Sequence, residues 1–174
     1  STTGDQLKLS HTDTQSFLEL NAWTYDCWIK TANTDQDIFN KQGGGSWDCI
    51  RFNINSNNLR ILLSGNLSTW HINSTGSVSV TDNEWHHVAL VVDGSSWKTY
   101  IDGVNDLSVT SSERPASDSN YPFLIGGGGT STAWNGYIQM PRMTTGARWS
   151  SNFTPPVLSD YTVSSTTTNT VGTL

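Results

Sequence analysis

The chain is short of ionic groups. Charged residues make up 14% of its 174 positions, against about 25% in an average globular protein. Only nine residues are Lys or Arg, and the formal net charge is −6. Because nucleic-acid binding needs a stripe of cationic side chains along the phosphates, this composition argues against nucleic acid as a partner.

Long apolar runs are lacking as well. No stretch of about 20 apolar residues is present, so the sequence predicts no insertion into a membrane. The opening Ser-Thr-Thr-Gly is typical of a cut end, and we expect a piece of a longer polypeptide. Residues 1–174 are predicted to form a single domain with its core at about 7–156. The Thr-rich residues 157–174 have few apolar anchors, which indicates an added edge strand or a linker.

Cysteine and glutamate are both scarce. Cys27 and Cys49 can form one disulfide at most; we predict two small buried thiols, with an oxidised pair as the alternative. Glycosidases need two carboxylates on either side of the scissile bond, yet the glutamates are only Glu19, Glu84 and Glu113. No Glu-x-Asp-x-x-Glu strand, Gly-x-Ser-x-Gly elbow or phosphate loop is present. The sequence therefore predicts no catalytic residue and no enzyme.

The residues that are present indicate strands. Residues 84–103, EWHHVALVVDGSSWKTYIDG, form two alternating runs with turns at 93–96 and 102–103. On the first run, one side receives Trp85, His87, Ala89 and Val91, and the other receives Val88, Leu90 and Val92. Such a strand is covered on both faces. Neighbours on a strand face opposite ways, so His86 and His87 cannot chelate one ion.

Further strand signals follow one another at short intervals. They cover residues 49–55, 59–64, 68–73, 77–81, 104–111 and 122–127. Asn57-Asn58 is predicted as a two-residue hairpin turn, because Asn tolerates a positive φ. No amphipathic helix of useful length is predicted.

The string at 84–103 resembles the central hairpin of laminin G-like jelly rolls, in the concanavalin A-like lectin and glucanase group. Residues 22–31, AWTYDCWIKT, resemble the first long core strand of that family, and residues 37–44 resemble the strand and loop that follow it. In this comparison the inward residues are Trp23, Tyr25, Cys27 and Ile29. Residues 134–156 resemble the closing strand and a tail common in bacteriophage and marine viral proteins. Gln139 and Met140 stand where the family usually has two acids.

The resemblance implies an all-β fold, a two-sheet antiparallel β-sandwich of jelly-roll type. It also implies a non-catalytic attachment module of a phage virion, such as a receptor-binding, fibre or capsid-decoration domain, located on the virion or outside the cell. The expected partners are host-surface glycan and other virion proteins. Whether the domain forms homo-oligomers is left open. The alternatives are a purely structural virion protein and a carbohydrate-binding module of a bacterial glycosidase.

Eight tryptophans are many for this length. Trp47, Trp70 and Trp134 lie in segments rich in Gly, Ser and Asn, where an indole is predicted to stack on a sugar ring. Asp48 and Asn135 are the polar groups predicted to bind hydroxyls beside them. The glycine runs before Trp47 and Trp134 favour loops at one rim of the sandwich. The alternative is that these indoles are plugs over the ends of the core.

Calcium is a further possibility that the resemblance leaves open, because related domains often carry it in loops at one rim. Calcium needs several oxygen ligands, usually with two or more carboxylates. The candidate ligands in predicted loops and turns are Asp35, Asp37, Asp48 and Asp118. No other cofactor is expected, and no metal ligand is assigned.

Overall fold

Alternating apolar residues build two antiparallel sheets that pack face to face, which confirms the predicted all-β jelly roll. The computed structural model describes residues 6–44, 47–128 and 132–157. The edge strand or linker expected at 157–174 falls outside the described residues, apart from Val157. Within the described part, no helix has the length and hydrophobicity needed to cross a membrane.

The elements are numbered along the chain. The one described helix is α1 (His11–Leu18), and the strands are β1 (Leu7–Leu9), β2 (Ala22–Lys30), β3 (Gln36–Lys41), β4 (Ile50–Asn55), β5 (Asn58–Leu63), β6 (Ile72–Ser79), β7 (Trp85–Asp93), β8 (Ser96–Ile101), β9 (Val104–Thr110), β10 (Phe123–Ile125), β11 (Gly127–Gly128), β12 (Thr132–Ala133) and β13 (Tyr137–Thr145). The six-stranded sheet has the order β1-β10-β3-β4-β5-β6, and the five-stranded sheet has the order β13-β2-β7-β8-β9. A short ladder joins β11 and β12.

Every second residue of β2 enters the core between the two sheets. The predicted inward residues are fully buried there, namely Trp23, Tyr25, Cys27 and Ile29. Trp23 lies edge-on to Trp97, and Tyr25 lies edge-on to Phe39 of the opposite sheet. Both cysteines are buried and free, as predicted. Burial raises the pKa of Cys49 to about 11, so its thiol stays protonated and unreactive at neutral pH.

Strand β7 is covered on both faces, as its sequence predicts. Its inward residues join the main core, while Ala89 and Val91 form a second cluster on the outer side. That outer cluster is covered by residues 147–157, which we call the closing segment. The rings of Trp149 and Phe153 stack there at 3.8 Å, and the Phe153 amide donates to the Gly103 carbonyl oxygen at 2.9 Å.

The tight turn at Asp102-Gly103 is needed for this cover. Gly103 has a φ of +80°, and a Cβ at this position would lie 1.8 Å from the Phe153 carbonyl oxygen. A side chain here would therefore push the closing segment off the sheet. At the far end of the segment, the indole Nε1 of Trp28 donates to the Pro156 carbonyl oxygen at 3.2 Å.

The hairpin between β4 and β5 corrects the predicted turn by one residue. The turn residues are Ser56 and Asn57, with φ of 50° and 78°, and Asn58 already belongs to β5. The Ser56 amide donates to the Asp35 carboxylate at 3.2 Å, and Asp35 also accepts from Asn55. This contact from outside the hairpin stabilises Ser56 at a positive φ, which serine seldom adopts.

Helix α1 has only eight residues, which agrees with the prediction of no amphipathic helix of useful length; the Ser10 hydroxyl caps it by accepting from the Asp13 amide, and Leu18 is buried in the core. One other expectation is wrong. The strands expected at 68–73 and 77–81 are replaced by the single strand β6, which leaves Trp70 in a loop. Strand β6 is tied to the opposite sheet, because Asp106 accepts from the amides of Ser77 and Val78.

We expect Phe153→Ala to destabilise the fold by about 3 kcal/mol, because it removes the aromatic cover from the outer side of β7. Urea unfolding measures this loss. Val104→Ala, at a residue that is 58% exposed, is the control and should change little. A Phe153→Ala protein as stable as the parent would show that the closing segment does not stabilise the sheet.

Candidate functional site

The outer face of the six-stranded sheet carries a polar cleft. The inward positions of β4 hold Phe52 and Ile54, so the alternating positions Arg51 and Asn53 face outward. The cleft has a volume of about 190 Å³ and is lined by Asp35, Gln36, Asp37, Arg51, Asn53, Ile54, Asn55 and Arg60. We call this set the polar cleft.

Two neighbouring groups in the polar cleft lack hydrogen-bond partners. Asn53 and Arg60 are directly paired across β4 and β5, and Asn53 is only 6% exposed. The Asn53 Nδ2 donates to the Ile54 carbonyl oxygen at 3.1 Å, which leaves its Oδ1 as the open acceptor. Neither Asn53 Oδ1 nor the buried Nε of Arg60 has a partner among the described residues. An open acceptor therefore lies beside an open donor, at a cost of roughly 1–3 kcal/mol for each unpaired group.

Arg51 occupies the space between two carboxylates. Its Nε lies 3.0 Å from Asp37 Oδ1 and 3.4 Å from Asp48 Oδ2. Burial raises the pKa of both Asp37 and Asp48, although Arg51 acts in the opposite direction. Asp37 lies within β3 and not in a turn as predicted, because β3 begins at Gln36. The two acids thus belong to an ion-pair network built around one guanidinium.

Arg60 is a cation of a different kind. Burial lowers the pKa of Arg60 and the like charge of Arg51 lowers it further, while the charges of Asp37 and Asp35 act in the opposite direction. No carboxylate among the described residues lies within 4.0 Å of its guanidinium. Arg60 is therefore attracted to acids of the cleft without a close ion pair, whereas Arg51 is in direct contact with two carboxylates.

The predicted site residues do not come together in one place. The rings of Trp47 and Trp70 meet edge-on at 4.9 Å, and both side chains are half-buried. We call them the tryptophan pair. They lie where β3 ends, since the Cys49 amide donates to the Lys41 carbonyl oxygen at 2.8 Å. Asp48 reaches the polar cleft through its contact with Arg51.

Trp134 and Asn135 lie at the opposite end of β3. The Asn135 amide donates to Gln36 Oε1 at 2.9 Å, and its carbonyl oxygen accepts from the Thr31 hydroxyl at 2.6 Å. The expectation that Trp47 and Trp134 share one rim is therefore wrong. Its physical reason is that the loops that carry them approach β3 at its two different ends.

Trp134 is packed and not freely exposed. It lies against the main core and lines a cavity of about 350 Å³ between the edges of the two sheets, with Leu7, Ile125 and Ile138 among its neighbours. Its indole N–H is buried and has no partner among the described residues. Its role as a ligand-binding residue stays a prediction.

Sequence reasoning missed the central residues of the polar cleft. Arg51, Asn53 and Arg60 were not singled out, although the strand IRFNIN shows polar residues alternating with Phe and Ile. That alternation was the available signal, because it places Arg51 and Asn53 on one outward face. The cross-strand pairing of Asn53 with Arg60 additionally depends on the correct hairpin turn.

The structure offers no assembled metal site among the residues it describes. No three His, Cys, Asp or Glu side chains of the described ranges lie close enough together to hold an ion. Asp35 accepts from the β4–β5 turn, and Asp118 accepts from the Gly44 amide. Calcium binding by the loop aspartates stays a prediction.

The two adjacent histidines have separate structural contacts, as expected for strand neighbours. The ring of His86 lies between Asp102 and Asp82, at 2.7 and 3.0 Å. Burial lowers the pKa of His86, but the two carboxylates outweigh this effect and the pKa is raised. His87 is fully buried on the other face and lies 3.2 Å from Asp26.

Asp26 links three strands of the five-stranded sheet. It accepts from Arg142 Nε at 3.0 Å and Nη2 at 2.8 Å, and it contacts His87. A bulge between Gln139 and Arg142, with Met140 at a φ of 52°, directs Arg142 toward it. Burial alone would raise the pKa of Asp26, but the hydrogen bonds from His87 and Arg142 outweigh burial and lower it.

We expect Asp26→Asn to cost about 3 kcal/mol at pH 7, because it removes the buried carboxylate that pairs with the Arg142 guanidinium. Since the pKa of Asp26 is lowered on folding, its contribution is present above about pH 4 and is lost as the pH falls through the folded value. Urea unfolding from pH 7 down to about 2 should show the gap between parent and variant closing. A constant gap would contradict this role, and exposed Asp93→Asn is the control.

Comparison with known proteins places this sandwich in the concanavalin A-like class. Residues 1–151 match the Laminin_G_3 family, described as the concanavalin A-like lectin/glucanases superfamily. The chain belongs to this family. No curated protein matches the chain significantly.

Solved structures share the fold at low sequence identity. The sialidase module CBM40 of Ruminococcus gnavus, bound to α2,3-sialyllactose, is 15% identical with a TM-score of 0.59, over 82% of this chain and 89% of that one. Domain 4 of a GH43 extracellular arabinanase from Geobacillus stearothermophilus, in complex with arabinotriose, is 20% identical with a TM-score of 0.50 over 73% of this chain. A putative carbohydrate-binding protein from Bacteroides ovatus is 18% identical with a TM-score of 0.59 over 74% of this chain. The chain spans 62% of the arabinanase domain and 38% of the Bacteroides protein.

Proposed function

We propose that this domain is a non-catalytic glycan-binding module and that the polar cleft is its binding site. The observation that carries the proposal is that the acceptor Asn53 Oδ1 and the donor Arg60 Nε, which belong to one cross-strand residue pair, are buried without hydrogen-bond partners among the described residues. Two adjacent sugar hydroxyls complement such a pair, because one donates to Asn53 while its neighbour accepts from Arg60. A bound sugar would thus satisfy two groups that the fold leaves unpaired.

The rest of the cleft is also suited to hydroxyl groups. Its lining is made of carboxylate, amide and guanidinium side chains with a single aliphatic residue, Ile54. Such a lining offers an apolar ligand little buried contact. Two of the similar structures were solved with an oligosaccharide bound, which supports the proposed class of ligand.

The tryptophan pair would extend this site along the sheet. Trp47 lies three residues before the start of β4, and Asn53 is the fourth residue of that strand. At about 3.3 Å per residue, the strand alone separates the two by about 10 Å. A ligand that contacts both places is therefore longer than one sugar ring. We propose that Trp47 and Trp70 stack on a sugar further along an oligosaccharide that is anchored at Asn53 and Arg60.

The arrangement of acids supports binding without catalysis. Glu19, Glu84 and Glu113 are all exposed. Asp37 and Asp48 both contact Arg51, and Asp82 and Asp102 both contact His86, so a side chain stands between the two carboxylates of each pair. Such a network holds charge in place and does not present an acid and a nucleophile to a substrate.

We expect Asn53→Leu to weaken glycan binding at least tenfold while changing the free energy of unfolding by less than about 1 kcal/mol. Leucine removes a buried acceptor without a partner, which favours the fold, but it also removes the Nδ2 donor to the Ile54 carbonyl oxygen, which opposes it. Arg60→Gln should weaken binding by about 1.5–3 kcal/mol, the worth of a hydrogen bond from a charged group. A glycan array followed by calorimetry on its hits measures both effects.

The matched control is Arg148→Gln, since Arg148 is exposed and its guanidinium lies over Trp149 on the opposite sheet. Normal binding by Asn53→Leu and Arg60→Gln would show that the polar cleft is not the site. Parent protein that binds no glycan on the array would contradict the proposed function. Hydrolysis of a bound oligosaccharide that disappears in Asp37→Asn or Asp48→Asn would show that the module is an enzyme.

Substitution of Trp47 and of Trp134 should have different effects on stability and on binding. Trp47→Ala should leave stability within about 1 kcal/mol of the parent and weaken the binding of long oligosaccharides by about 1–3 kcal/mol. Trp134→Ala should instead cost about 3 kcal/mol of stability, because its ring packs against the core. Thermal unfolding and calorimetry distinguish the two. A stable Trp134→Ala protein that loses binding would move the site to the edge cavity.

The role of the module in a phage virion stays a prediction. The Ala-Arg-Trp and Asn-Phe-Thr-Pro-Pro motifs of the closing segment support a phage virion component that attaches to a host-surface glycan. Their aromatic residues also have packing contacts on β7, so the motifs support the fold as well as the origin. A purely structural virion protein would bind only virion partners, or copies of itself, and the glycan array separates it from a binder. Genes flanking the full-length gene would separate phage from bacterial glycosidase.

A further inference from the structure

A second polar and aromatic surface lies on the outer face of the five-stranded sheet. Tyr137 of β13 is paired with Lys30 of β2, and Lys30 is paired with Trp85 of β7. The three side chains therefore form one row across adjacent strands. They project outward, because the alternate residue Ile29 of β2 is buried in the core. We call Trp85, Lys30 and Tyr137 the aromatic row.

The aromatic row is open to solvent where other aromatic residues are not. Trp85 is 40% exposed and Tyr137 is 65% exposed, and no other described aromatic residue is among the exposed large hydrophobic residues. Their ring centroids lie 6.1 Å apart at an interplanar angle of 43°. The two rings thus lean toward each other above Lys30 and leave their outer surfaces uncovered.

Among the described residues, the closing segment packs on the row next to these rings. It lies over the outer side of β2 from Thr24 to Trp28, where the indole donates to the Pro156 carbonyl oxygen. Trp28 is paired with His87, which is the row next to Lys30 and Trp85. Trp149 and Phe153 lie edge-on to His87 in that row.

The size of this surface favours a small ligand. A whole aromatic side chain has a surface of about 150–250 Å². Trp85 is 40% exposed and Tyr137 is 65% exposed, so their exposed surfaces together amount to roughly 160–260 Å². A stable protein–protein interface needs about 800 Å² on each partner. The area is too small for a second copy of the chain, but it matches the face of one sugar ring.

Polar groups around the rings match the same ligand. The ammonium of Lys30 makes no ion pair among the described residues. The exposed Asn135 lies two residues before Tyr137, and its backbone is fixed by Gln36 and Thr31. The row thus carries a cation between its two aromatic residues and an amide at its border.

We propose that the aromatic row is a second sugar-binding site, in which Trp85 and Tyr137 stack on the C–H face of a pyranose ring. Lys30 and Asn135 then donate hydrogen bonds to its hydroxyl oxygens. The proposal shares its ligand class with the proposed function, but it uses none of the residues of the polar cleft. The domain would accordingly hold a polysaccharide at two separate places.

Nuclear magnetic resonance of the ¹⁵N-labelled full chain can observe both sites in one titration. The Nε1–H signal of Trp85 reports on the aromatic row and is assigned by its loss in Trp85→Phe. The Nε–H signal of Arg60 reports on the polar cleft and is assigned by its loss in Arg60→Gln. The probes are cellohexaose, chitohexaose and the strongest hit of a glycan array. We expect at least one probe to shift the Trp85 signal, and to do so also in Asn53→Leu.

The outcomes distinguish the two proposals. An Arg60 signal that shifts while the Trp85 signal stays fixed overturns the second site and leaves the proposed function standing. A Trp85 signal that shifts alone supports the second site and removes the cleft. If neither the Arg60 signal nor the Trp85 signal shifts with any probe, the second site is likewise overturned. A Trp85 signal that is shielded from a soluble paramagnetic reagent in the free protein also overturns it, because another part of the chain then covers the rings.

A binding measurement on a surface tests the consequence of two sites. The double variant Trp85→Ala, Tyr137→Ala should keep the parent's melting temperature and its affinity for a hexasaccharide at the polar cleft. Its retention on a polysaccharide-coated surface should fall at least tenfold, because simultaneous contact at two sites is lost. Val104→Ala is the matched exposed control. Unchanged retention of the double variant would contradict the proposal.

Discussion

The period of two along each strand decides which residues of this domain are free to bind anything. Each strand gives one face to the core between the sheets, and that face must be apolar because its burial stabilises the fold. The outer faces of the two sheets differ in how they are covered. The closing segment packs on the outer side of β7 and β8, with Phe153 against Tyr100, whereas the six-stranded sheet keeps its outward polar residues. Both proposed sites lie on parts of the outer faces that the described residues leave uncovered.

Each site carries a local cost that the fold itself does not repay. A buried Asn53 oxygen and a buried Arg60 Nε without partners weaken the folded state, and exposed Trp85 and Tyr137 rings leave apolar area in water. The main core tolerates these costs because it joins fully buried aromatic residues of both sheets, as where Tyr25 meets Phe39. Departures from good packing are therefore concentrated on the outer faces, where a ligand can relieve them.

The inward pattern of β2 and β7 and the antiparallel sandwich could be predicted from the sequence, because alternation is a local property. The cleft could not, because it depends on strand pairing. A turn placed at Asn57-Asn58 pairs Asn53 with Leu62, whereas the actual turn pairs Asn53 with Arg60. The correct turn is set by Asp35, which lies 21 residues before Ser56. Likewise, the outer side of β7 is covered by Trp149 and Phe153, about 60 residues further along the chain, and no local pattern within β7 identifies these partners.

The two proposed sites lie at the same end of the sandwich, since β2 ends at Lys30 and β3 begins at Gln36. Asn135 stands between them, with its backbone bound to Gln36 of the cleft and its chain continuing to Tyr137 of the aromatic row. A polymer that contacts both faces at this end would be held by two weak sites with a rigid separation. Under that condition the second contact is intramolecular, and its strength depends on geometry more than on the affinity of either site. A domain with few charges and shallow sites can then hold a repeating polysaccharide firmly while each single sugar binds weakly.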